Sequence, residues 1–152
     1  MSKGVTNKYG RLHSLLIALL LLTFSQSTFS QGTLMPIGPQ SNTFTSMVRG
    51  YYFTAPASFT ICGLYIPTNA STGAQSVEVV RFTAGPPPAY PATTNNFVSL
   101  FYLPNHVPNA TIPCNIQVNA GDVIGIYGAR ANNMVNSYDG VQFASNILGF
   151  PV

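Results

Sequence analysis

Past the first thirty residues, the chain holds few side chains that could do chemistry. The carboxylates are Glu78, Asp122 and Asp139, and the one histidine there is His106. Glycoside hydrolysis needs two carboxylates facing one bond, and acyl transfer needs a nucleophile, a base and an orienting acid. No GxSxG element occurs. Glu78 falls mid-strand in QSVEVV, opposite valines, where a solvated carboxylate is expected. Asp122 is explained by the turn NAGD. His106 lies in LPNHVPN, a proline-flanked loop that favours an exposed imidazole over a general base. The pattern therefore predicts no enzyme. A lone histidine and dispersed carboxylates give no zinc spacing. Asn132, Asn133 and Asp139 could offer oxygens to calcium, but a polar loop explains them. Neither a metal nor a cofactor is expected.

Cys62 and Cys114 are the two cysteines. In an exported chain an even count predicts a disulfide, worth roughly 4 kcal/mol for a loop of this length in the chain-entropy treatment. The alternatives are a metal-binding pair or a reactive thiol, for which His106 would be the imidazole.

Saccharide recognition suits the composition better. Sugars present an apolar face to aromatic rings and hydroxyls to amides and carboxylates. Tyr90 stands on the stiff run GPPPAYP, with Asn95 and Asn96 after it. Arg130, Asn132, Asn133, Tyr138 and Asp139 form a second polar and aromatic set. The absence of tryptophan weakens the case for a strong sugar platform, and for each tyrosine an edge packing residue with a wet hydroxyl is the favoured reading.

These groups need elements to hold them. Residues 1–30 read as a secretory leader: Lys3, Lys8 and Arg11, then LLIALLLL, then FSQSTFSQ. The apolar run is short for a bilayer span. Cleavage after Ser30 is favoured, after Ser27 is the alternative, and a retained anchor is the competing reading. With the leader gone no membrane span remains, and the expected location is extracellular or periplasmic. Arg49, Arg81 and Arg130 then face Glu78, Asp122 and Asp139, so the rest of the chain is neutral and has no lysine. Nucleic acid is not an expected partner, because phosphate binding needs clustered cations.

From residue 31 to 152 one domain is expected, with its core at about 44–140. Glycine and proline break the chain too often for helices. Strands are expected over 45–54, 58–66, 75–83, 96–103 and 111–118, and again after Asp122. NFVSLFYL is apolar on both faces and reads as a central strand. Cys114, Ile116 and Val118 share one face, and Cys62 shares one with Leu64 and Ile66. NAGD is expected to close a hairpin, with Gly121 at positive φ. Ile124 and Ile126 would face the core. Gly125 would sit opposite, beside Val123 and Tyr127, marking a bend, a bulge or a close approach, or else clearing space for a ligand. GPPPAYPATTNN is a stiff surface loop. Together these predict an all-β, antiparallel β-sandwich of jelly-roll-like form.

The runs TSMVRGYYFTAP, GLYIPTNASTGAQSVEVVRF, PPPAYPATTNNFVSLFY and NAGDVIGIYGAR resemble an uncharacterised β-sandwich module of bacterial secreted and cell-surface proteins. The resemblance covers most of Phe44 to Tyr138. It implies a jelly-roll-like domain used in adhesion or glycan binding and brings no catalytic residues. The pattern expects one more strand after NILGFPV, so the sandwich reads as missing a final strand. Two N-x-S/T matches, at Asn69 and Asn109, matter only in a eukaryotic secretory pathway and are treated as chance.

The functional expectation is a secreted, non-enzymatic surface module that contacts an extracellular glycan or a surface protein. A structural or assembly domain pairing through an exposed strand edge comes second, and a secreted hydrolase third. Secretion from a bacterial host should release a chain starting at Gln31. N-terminal sequencing checks this, and recovery of a chain that still carries LLIALLLL would contradict it.

Overall fold

Val77 and Val79 alternate with Ser76 and Glu78, a period of two that suits a pleated strand with one face in a core. The same logic runs through the chain. The computed structural model describes residues 32–89, 91–138 and 143–152. Residues 1–30, for which the sequence predicts a leader, lie outside them, as do Tyr90 and Asp139. The described residues contain strands, turns and loops, with no helix among them. The strands are β1 (Asn42–Phe44), β2 (Arg49–Thr54), β3 (Phe59–Leu64), β4 (Gln75–Phe82), β5 (Phe97–His106), β6 (Ile112–Val118), β7 (Val123–Arg130), β8 (Asn136–Tyr138), β9 (Asn146–Ile147) and β10 (Phe150–Pro151).

The strand ladders are all antiparallel. The principal sheet has the order β2-β7-β4-β5, while β3 pairs with β6, β1 with β8, and β9 with β10. Four of these pairings are nested along the chain: β4 with β5, β3 with β6, β2 with β7 and β1 with β8. The fold is all-β and antiparallel, as the sequence predicts.

The core lies between the principal sheet and the β3–β6 pair. Phe53, Val77, Val79 and Ile124 come from the first, and Leu64, Ile112, Ile116 and Val118 from the second. Phe53 and Phe59 stack across the gap with ring centroids 6.4 Å apart. Val79 and Ile124 are fully buried, and burying each is worth about 1.5–3 kcal/mol.

Three expectations are corrected. First, Asn119–Asp122 is a tight turn but closes no hairpin. Asp122 N–H donates to Asn119 O at 3.0 Å, Asn119 N–H donates to the Asp122 carboxylate at 2.9 Å, and Gly121 has φ +86°. Yet β6 goes to β3 while β7 goes to β2 and β4. The turn is a corner between sheets. Second, β5 is an edge strand of the principal sheet, and the central ones are β7 and β4. Its two-sided apolar character goes to Leu100, Phe101 and Leu103 against the core, with Phe97, Val98 and Tyr102 exposed.

Third, Cys62 and Cys114 are not joined. Both thiols are free, Cys62 exposed and Cys114 half-buried. The two cysteines do lie on neighbouring strands, because β3 and β6 are paired. The ladder, however, shifts register between Ile61 and Gly63. Ile61 and Leu64 both pack on the core, so the irregularity turns Cys62 outward. Cys114 keeps its core-side place, and its thiol donates to Ile61 O at 3.3 Å. Burial pushes the Cys114 thiol up, and nearby Cys62 adds to the rise. A raised value means less thiolate at a given pH and slower alkylation. Iodoacetamide at about pH 8 should therefore add to both sites without prior reduction, and to Cys62 first. Mass spectrometry of quenched time points reads the order, and a chain that takes up no label before reduction would contradict the assignment.

Candidate functional site

The outer face of the principal sheet, the side away from the core, carries an organised set of side chains. The register between β4 and β7 runs without a break from Gln75↔Arg130 to Phe82↔Val123. Strand alternation therefore sends Glu78, Val80 and Phe82 outward with Val123, Gly125 and Tyr127. Tyr52 joins them from β2, where it faces Gly125, and Tyr102 from β5, where it faces Glu78.

Three rows cross the sheet. One reads Gly50, Tyr127, Glu78, Tyr102. The next reads Tyr52, Gly125, Val80, Ser99, and the third Thr54, Val123, Phe82, Phe97. Direct cross-strand neighbours hold their Cβ atoms about 4.5–5.5 Å apart, so side chains adjacent within a row are near neighbours, with gaps at Gly50 and Gly125.

Gly125 explains how the rows close up. A Cβ there would stand 2.7 Å from Tyr127 Cε2 and 3.0 Å from both Phe82 Cε2 and Val80 Cγ2. The missing side chain lets the Tyr127 ring lean over the strand toward Phe82 and Tyr52. Phe82 makes edge-on contacts with Tyr52 at 6.4 Å and Phe97 at 6.3 Å, the offset geometry aromatic quadrupoles favour. Val80 and Phe82 are buried on this face although it lies outside the core. Tyr52 is 51% exposed, Phe97 40% and Tyr102 64%. Desolvation raises the Tyr127 phenol, with Tyr52 adding a smaller rise. The face offers exposed rings, phenol hydroxyls and one half-buried carboxylate.

At the Phe82 end the face runs into a cleft of about 340 Å³ beneath the proline-rich loop. It is lined by Phe82, Pro86, Pro88, Thr94 and Asn96 among others. Asn96 is fixed in place: its N–H donates to Thr94 Oγ1 at 3.0 Å and its carbonyl accepts from Thr83 N–H at 2.8 Å.

The two candidate sets fare differently. Asn96 reaches the cleft and Asn95 is exposed beside it. Asn132 and Asn133 are exposed in the turn after β7, at the opposite end of the sheet. Tyr138 lies over the Arg49 guanidinium, 4.6 Å from its ring centroid, with Phe44 at 3.7 Å on the other ring contact. The described members thus form no single site, being separated by the length of β4. Among the described residues no three His, Cys, Asp or Glu side chains gather as a metal site.

Arg130 is the clearest correction. It is 1% exposed and serves the fold. Its Nε donates to Ile66 O at 2.8 Å and Pro67 O at 3.0 Å, Nη1 donates to Gly73 O at 3.0 Å, and Nη2 also donates to Ile66 O. Tyr65 lies 5.2 Å from the guanidinium. Burial lowers the Arg130 pKa, and Tyr65 acts in the opposite sense. Gln75, also fully buried, accepts from Ile66 N–H at 2.9 Å and donates to Pro108 O and Ala110 O at 3.1 and 2.9 Å. Arg130 and Gln75 thus tie the loops after β3 and β5 to the sheet.

Sequence reasoning passed over Tyr52, Phe82, Phe97, Tyr102 and Tyr127. The available signal was the alternation in GYYFT, VVRF and IGIYG, which predicts rings on one face once the strand order is known. No protein-family model matches the chain, and neither a curated protein nor a solved structure matches it.

Arg130→Ala removes the donors for three loop carbonyls, and the loss should cost about 2–4 kcal/mol of stability. Urea unfolding measures it. A midpoint equal to the parent's would show that the clamp does not hold the loops.

Proposed function

We propose that the chain is a secreted, non-enzymatic surface module that binds saccharide through the outer face of the principal sheet. The observation that carries the reading is the registered set of exposed rings around Gly125, bordered by phenol hydroxyls and the Glu78 carboxylate. Such a surface offers stacking for the apolar faces of sugars and hydrogen bonds for their hydroxyls. The cleft with Thr94 and Asn96 extends it. The leader and the resemblance to bacterial surface modules support an extracellular or periplasmic setting. The nested pairings support a jelly-roll winding, in which a long hairpin is rolled so that β2-β7-β4-β5 forms one sheet and β1-β8 and β3-β6 contribute to the other.

Assembly through the open β5 edge of the principal sheet has less support. The β5 edge carries Pro104 and two register shifts in its pairing with β4, and both features discourage a further strand.

A glycan array probed with the full chain tests the reading. Binding is expected, with a loss of about tenfold or more for Tyr52→Ala or Phe97→Ala, equivalent to about 1.4 kcal/mol. Asn132→Ala, at the far end of the sheet, should leave the signal intact. A folded chain that binds no glycan above background would remove the saccharide reading.

A further inference from the structure

We infer that the outer face selects a saccharide bearing protonated amino groups, an amino-sugar polymer in preference to neutral or acidic ones. The inference rests on the saccharide reading and adds the charge of the ligand.

The distribution of charge carries it. Arg49, Arg81 and Arg130 are the cations of the chain after the leader, apart from His106. All three have the core-side strand parity, in step with Phe53, Val79 and Ile124, and none can project from the outer face. Each is also engaged elsewhere: Arg49 with the Phe44 and Tyr138 rings, Arg130 with loop carbonyls, and Arg81 with Asp122 at 3.7 Å. Asp122 is held by that pair and by its own turn.

Glu78 is different. It projects from the middle of the outer face, half-buried, and among the described residues no cation pairs with it. Its direct cross-strand neighbours are Tyr127 and Tyr102. The face therefore presents one uncompensated negative charge set among tyrosine rings. An ammonium group satisfies both features, since it donates to a carboxylate and is attracted to ring faces. A neutral sugar uses the hydrogen bonds and leaves the charge unpaired. An acidic sugar is repelled by it, with no cation on the face to offset the repulsion.

The experiment compares ligands of equal length on the full chain by calorimetry at mildly acidic pH and low salt. The probes are a chitosan oligomer, its fully N-acetylated counterpart, an oligogalacturonate and oligolysine. The chitosan oligomer should bind about tenfold or more tightly than the acetylated form, with oligogalacturonate weakest. Glu78→Gln should erase the preference, so that the chitosan oligomer binds that variant no more tightly than the acetylated form does. Glu78→Asp should keep much of it, and added salt should weaken only the charged ligand's advantage. Thermal melts confirm that both variants are folded. Equal affinity for the acetylated and de-acetylated oligomers overturns the amino selection and leaves the saccharide reading standing. A chitosan preference that survives Glu78→Gln also overturns it, because the charge would then be read elsewhere. Oligolysine binding as tightly as chitosan, and through Glu78, overturns it in favour of a protein amine. If no saccharide binds, the underlying reading falls as well.

Discussion

The structure depends on the unbroken register between β4 and β7. Eight consecutive pairs, Gln75↔Arg130 through Phe82↔Val123, fix which side chains enter the core and which form the outer face. Because side chains alternate with period two, a slip of one residue would drive Glu78 inward and Val79 out. Burying that carboxylate unpaired would cost several kcal/mol. The same ladder places the Gln75 and Arg130 clamp at one end and the Phe82 cleft at the other, roughly 23 Å apart at about 3.3 Å per residue.

The rest of the sheet follows from those two central strands. Both faces of β4 and β7 are covered, the inner by core residues from β3 and β6, the outer by aromatic rings. That outer covering is made possible by Gly125, since any larger residue would push Tyr127 and Phe82 away. The platform and its support are thus one packing problem. Buried rings such as Phe82 hold exposed ones such as Tyr52 and Phe97 at defined angles, an arrangement that would reduce the ordering cost of the binding proposed for this face. At the opposite end, buried polar side chains in place of apolar ones fix the loops that cap the sandwich.

Much of the fold was legible in the sequence because alternation and turn chemistry are local. QSVEVVRF gives the faces of β4, and NAGD gives the turn with its positive-φ glycine. Which strands pair is not local. The same turn that looks like a hairpin carries the chain from one sheet to the other, and NFVSLFYL looks central while lying at an edge. Cys62 shows a third kind of limit: a single irregularity between Ile61 and Gly63 reverses strand parity and separates two thiols that simple alternation would bring together. Arg130 looked like a surface ligand because a charged side chain after a strand is usually solvated. Three backbone carbonyls in reach made its burial tolerable, and those come from a loop distant in sequence. The candidate site was legible only in its loop part, Asn95 and Asn96. Its aromatic rows are assembled from four strands and exist only once the sheet order is set.

The most direct measurement is a map of the bound surface. Amide chemical shifts of the labelled chain, followed during titration with the oligosaccharide that binds best, locate it residue by residue. The account predicts perturbations at Tyr52, Glu78, Phe97, Tyr102 and Gly125, fading toward the turn at Asn132 and Asn133. Perturbations centred on Asn132 to Tyr138, or on the β3–β6 pair, with the principal sheet silent, would contradict it.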